Sequence, residues 1–186
     1  MFRIPKGGNM KKVGLSAALL AGALLVLTSV TLAQGPKFAS ELAGKNEVPP
    51  VDTPATGRAT FEVSKDGNSL MYTLSVTNIT DVTMAHIHIG DPGTNGGHVA
   101  PLYPVGMAAS SMGEKKDDMA TKPDDMAAPK KMSGIIAKGT IRAKDLVGPL
   151  QGKTIADLVA QIQAGKAYVN VHTRTHGDGE IRGPIK

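Results

Sequence analysis

The chain predicts an all-β protein, an antiparallel sandwich or barrel with one short helix. Three observations carry this. Apolar and polar residues alternate with period two in several short runs, and Gly, Pro, Asn and Asp separate those runs. Only one stretch, residues 154–164, places apolar residues at helical spacing. Aromatic residues are few and Trp is absent, so the core has to be built from Val, Ile, Leu and Ala.

The first expected strand covers residues 37–42. Residues 44–51 follow, and Pro49 and Pro50 cannot donate ladder hydrogen bonds, which makes this an edge or a loop. Residues 56–63 alternate with Ala59, Phe61 and Val63 on one side. Residues 69–77 alternate with Leu70, Tyr72, Leu74 and Val76 inward. Lys65-Asp66-Gly67-Asn68 between them is a hairpin signal. A further strand runs over residues 82–89, a glycine-rich loop over 91–97, and a short strand over 98–105. Strand alternation resumes at 133–141. Thr154 with Asp157 three residues on is a helix start, Ile155, Leu158, Val159 and Ile162 form its apolar stripe, and Gly165 ends it. Strands over 168–173 and 179–183 close the chain.

Two segments stand apart. Residues 1–33 read as a signal peptide or an N-terminal membrane anchor: Lys11 and Lys12 precede an apolar run that ends in small residues. At roughly 20 residues the run is long enough to span a bilayer, which keeps the anchor open. Either outcome places the rest of the chain outside the cytoplasm, secreted or anchored, and leaves this segment, if uncleaved, as the membrane contact. Residues 107–133 are rich in Met, Lys and Asp, show no strand alternation and contain Pro123 and Pro129. They are expected to be a disordered insertion. Its methionines suit Cu(I), but their scattering among lysines and aspartates favours a solvated loop.

Charge and composition exclude several classes. The formal net charge is +5, but Arg3, Lys6, Lys11 and Lys12 lie before residue 34 with no acid among them, which leaves +1 for the rest. No basic patch argues for nucleic acid. Without Cys there are no disulfides and no thiolate ligands, so a metal site must use His, carboxylate, Met or backbone oxygen. No nucleophile elbow or phosphate loop is present, and no catalytic residue is assigned.

The chemistry concentrates in two strands. In Ala85-His86-Ile87-His88-Ile89-Gly90, His86 and His88 share a face. In Tyr168-Val169-Asn170-Val171-His172-Thr173, Tyr168, Asn170 and His172 share one. If the strands are neighbours, three imidazoles converge. His98 adds a fourth candidate ligand from the loop, and Asn170, Glu180 and Arg182 are candidates to orient the rings. Imidazole suits copper and zinc, and export together with the methionines favours copper. The competing reading is a hydrogen-bonded polar network that holds the fold.

These segments in order resemble the CHRD domain, the module repeated in chordin. The resemblance rests on Glu47-Val48-Pro49-Pro50-Val51, the His86-Ile87-His88 strand with its glycine loop, Asn170-Val171-His172-Thr173 and Gly179-Glu180-Ile181-Arg182-Gly183, and covers residues 37–186. It implies an extracellular module, in chordin one that binds signalling ligands. His98 and His176-Gly177 depart from the pattern, so His98 and His176 inherit no family role. A weaker likeness is to copper–zinc superoxide dismutases, which have an H-x-H strand and later histidines in similar order on a β-sandwich. The two likenesses imply an Ig-like or dismutase-like β-sandwich. Three functions follow as expectations: a metal-binding module, a cell-surface module that binds an extracellular protein partner, and a dismutase-like enzyme.

Overall fold

The computed structural model describes Met1 and residues 35–104 and 128–186. The apolar N-terminal segment and residues 105–127, which include 107–127 of the expected insertion, lie outside the described residues. Eight strands form one antiparallel sheet: β1 (Lys37–Ala43), β2 (Thr56–Val63), β3 (Ser69–Thr80), β4 (Val82–Ile89), β5 (Gly97–Tyr103), β6 (Lys131–Arg142), β7 (Ala167–Thr173) and β8 (Ile181–Pro184). Their spatial order is β5-β4-β7-β8-β1-β2-β3-β6. The sheet curls until its ends meet. Tyr72 on β3 donates its hydroxyl to the Leu102 carbonyl on β5 at 2.7 Å. Val147, just past β6, donates its N–H to the Val99 carbonyl on β5 at 2.9 Å. Among the described residues, the expected antiparallel, barrel- or sandwich-like β fold with one short α-helix is therefore observed.

Alternation explains the core. Ala59, Phe61 and Val63 on β2 and Leu70, Tyr72, Leu74 and Val76 on β3 are all buried, as their spacing requires. β3 runs further than the alternation suggested. A register shift against β6 between Val76 and Ile79 lets the strand continue while Ile79 still enters the core. Residues 131–133, expected to lie in the disordered insertion, belong to β6. Met132 packs against the core, and Ser133 Oγ accepts the Asn78 N–H. Tertiary packing supplies what local alternation lacked there.

The one α-helix among the described residues, α1 (Ile155–Gln163), is built as its sequence predicts. Thr154 Oγ1 accepts the Asp157 N–H, the Asp157 carboxylate accepts the Thr154 N–H, and Ile155, Leu158 and Ile162 are buried. Gly165, at φ 71°, terminates it. Among the described residues no helix is long and apolar enough to cross a membrane.

β4 and β7 pair directly, in the register Met84↔His172, His86↔Asn170 and His88↔Tyr168. The alternate pairs, Ala85↔Val171, Ile87↔Val169 and Ile89↔Ala167, face the core. Ile87 is fully buried on that face, one residue from each histidine of β4. Ile87→Ala should cost about 2–5 kcal/mol in urea unfolding by leaving a cavity. It should leave the imidazole NMR resonances of the opposite face in place, and their displacement along with the loss of stability would contradict the two-faced strand.

Candidate metal centre

Residues paired across neighbouring strands share a face. The register therefore puts His86, His88, Tyr168, Asn170 and His172 on one surface of β4 and β7. β8 extends the row, because Asn170 also pairs with Arg182. β5 extends it on the other side, but only through bulges. Its register shifts between Ala85 and His86 and again between Ile87 and His88, so Ile87 opposes Ala100 while His88 opposes His98. Val99 is the extra residue. It sinks into the core, and His98 turns onto the histidine face.

Four imidazoles now stand together. The His86 ring centre lies 5.7 Å from that of His88, 5.2 Å from His98 and 5.3 Å from His172. His88 and His172 are 5.8 Å apart. His86, His88 and His172 each offer a nitrogen within 4.8 Å of the other two. His98 stands outside that trio and is only half-buried. His176 is not part of the cluster. Its backbone shapes the turn after β7, with its N–H donated to Thr173 Oγ1 and its carbonyl accepting from Gly179.

Backbone carbonyls orient two of the rings. His88 Nδ1 lies 3.0 Å from the Gly96 carbonyl oxygen, and His172 Nδ1 lies 2.9 Å from that of Gly177. A carbonyl can only accept, so in the neutral ring each Nδ1 carries the hydrogen and each Nε2 keeps its lone pair. Those two Nε2 atoms are buried without a partner, as are both nitrogens of His86. Burial drives the protonation equilibria the same way. It pushes His86 down to about 3 and His88 down to about 4, with the neighbouring imidazoles adding to the effect. Burial also holds His172 below the usual histidine value. Three neutral imidazoles with inward lone pairs are donors for a soft or borderline cation.

The expected supporting residues act one step further out. Neither Asn170 nor Glu180 hydrogen-bonds an imidazole. Asn170 donates to the Asp178 carbonyl, and Glu180 accepts from Thr53 Oγ1 and Thr173 Oγ1, each at 2.7 Å. Both brace the turn that presents Gly177. Gly179, at φ 132°, belongs to that turn, and a Cβ there would strike the Asn170 amide. Arg182 braces the other loop: it donates to the Thr94 carbonyl at 2.7 Å and to Asn95 Oδ1 at 2.9 Å. Its guanidinium lies 3.6 Å over the Tyr168 ring, which stacks on His88. Tyr168 Oη also accepts the Gly96 N–H at 2.8 Å.

Several participants lay beyond sequence reasoning. Gly96 and Gly177 contribute only carbonyls, which no side-chain pattern reveals. Tyr168 carried a signal, the same period-two face as Asn170 and His172. Glu47 stands out in the sequence only as part of the Glu47–Val51 block, with no chemistry assigned to it. It is 5% exposed, has an unpartnered Oε1, and burial pushes it up to about 7 against the pull of Arg182.

The geometry and the segment order have a shared explanation in descent. Residues 38–185 match the family model for the CHRD domain, and the chain belongs to that family. No curated protein and no solved structure matches it significantly.

Buried groups make the stability of the metal-free protein pH-dependent, with opposite signs. Each imidazole binds its proton less readily folded than unfolded, so its contribution is present above about pH 6.5 and is lost as pH falls toward the folded value. Glu47 binds its proton more readily folded, so its contribution is lost as pH rises through about 7. In metal-free Glu47→Gln protein the melting temperature should therefore fall between pH 6.5 and about pH 5. Adding His86→Ala should flatten that slope, and an unchanged slope would contradict the assignment.

Proposed function

We propose that this chain is an exported CHRD-domain binding module that holds one transition-metal ion on His86, His88 and His172, with copper favoured and zinc the alternative. The observation that carries the reading is the set of bare nitrogens. A hydrogen-bonded network would have satisfied these imidazoles, because an unpaired buried polar atom costs about 1–3 kcal/mol. Here each of the three rings keeps at least one buried nitrogen without a partner, and one nitrogen from each ring gathers within 4.8 Å. An ion bound there would satisfy all three at once. Copper is favoured because imidazole-rich sites bind Cu(II) most tightly among the divalent first-row ions. The N-terminal sequence supports export, with the membrane reached through that segment if it stays attached.

A second reading, a cell-surface interaction module with structural histidines, draws on the two Nδ1 contacts to Gly96 and Gly177. Those contacts tie loops to the sheet whether or not metal is present.

Elemental analysis of the tag-free chain, followed by Cu(II), Cu(I) and Zn(II) titration, separates the two. The metal reading predicts one ion per chain, lost in His86→Ala, His88→Ala and His172→Ala while unfolding stays cooperative. The structural reading predicts no ion at any stage and lower stability for the same variants regardless of metal.

A further inference from the structure

We infer that His98 is the exchange ligand of this centre, the group that takes an ion from solvent and passes it to the buried trio. The inference rests on the proposed metal site and assigns one residue a role in loading it. The lone pairs of His86, His88 and His172 are sealed from solvent. An incoming ion carries water or a small carrier ligand and must shed it to reach them. Stripping a cation before new ligands are in place is costly. A ligand at the boundary lowers that cost by replacing one water while the others remain.

His98 is placed for this. It sits on β5, at the end of the sheet order, directly opposite His88. Its ring centre is 5.2 Å from that of His86 and 6.1 Å from that of His88, so an ion held by His98 moves only a short distance to the trio. Like His88 it is half-buried, whereas His86 and His172 are 5% and 7% exposed; unlike His88 Nε2, its ring nitrogens are not among the buried, unpartnered atoms. Its nitrogen lies outside the group that gathers within 4.8 Å, as suits a group that hands the ion on. No hydrogen bond to a described residue restrains its ring. The bulge at Val99 creates this arrangement, because regular pairing would oppose His88 with Val99. Transfer is ligand exchange alone: a bond from the ion to His98 forms as a bond to water or carrier breaks, then breaks as bonds to the trio form, with no change of oxidation state.

The test is the kinetics of Cu(II) uptake from its bis-glycine complex and of Cu(II) removal by EDTA, followed by visible absorbance. Wild-type chain, His98→Ala and His98→Gln are compared; the Gln variant keeps size and polarity if the Ala variant does not fold. A pure exchange ligand speeds both directions equally, so both rates should fall about tenfold or more while affinity stays within about threefold of wild type. Unchanged rates overturn the inference. An affinity loss of about tenfold or more overturns it too, by making His98 a resident fourth ligand. A wild-type chain that binds no Cu(II) removes the metal site itself, whereas normal binding with unaltered kinetics removes only this role.

Discussion

The antiparallel register of β4 against β7 is the contact on which the rest of this structure depends. It pairs His86 with Asn170 and His88 with Tyr168, and sets Ala85, Ile87 and Ile89 against Val171, Val169 and Ala167. A slip of one residue would turn the imidazoles into the core and the branched side chains outward. The apolar pairs therefore hold the polar ones in place: burial of Ile87 and Val169 specifies where His86 and His172 must point.

The histidine face is not a solvent face. Every residue of β7 is buried, on both sides of the strand. The loop before β5 and the turn after β7 cover the imidazoles, and each cover is bonded to what it hides: Gly96 to His88, and Gly177 to His172. Buried polar side chains in turn brace the covers. Arg182 holds Thr94 and Asn95, while Glu180 spans Thr53 and Thr173. Asn95 Nδ2 reaches the Val48 carbonyl and Asn46 Nδ2 reaches that of Arg182, so the segment around Pro49 and Pro50 belongs to the same assembly. The family's separate sequence blocks thus meet in one place, around the rings, and their joint occurrence has a physical basis.

Neutral, buried imidazoles have a functional consequence. A histidine near its ordinary value loses half its lone pairs to protons near pH 6.5. With His86 pushed down to about 3 and His88 to about 4, the donors stay available in mild acid. The same burial excludes competing water. Under the proposed metal reading, this burial suits retention of an ion.

Much of this was legible in the order of residues. Period-two alternation placed β2, β3, β4 and β7 and their inward sides, because a strand's pleat ties side-chain direction to local sequence. The Thr154–Asp157 capping box and Gly165 bounded the helix for an equally local reason. Alternation also showed that His86 shares a face with His88, and Tyr168 and Asn170 with His172. Local pattern could not say that the two faces are one face, since strand pairing is a contact between distant residues. Nor could it find the extra residue at Val99 that turns His98 toward the cluster, or the ordered start of β6 at Lys131, which packing imposes on a segment of unstructured composition. The carbonyls of Gly96 and Gly177 lie furthest from sequence reading. Every residue has such a group, and only the folded path of the chain selects the two that aim the rings.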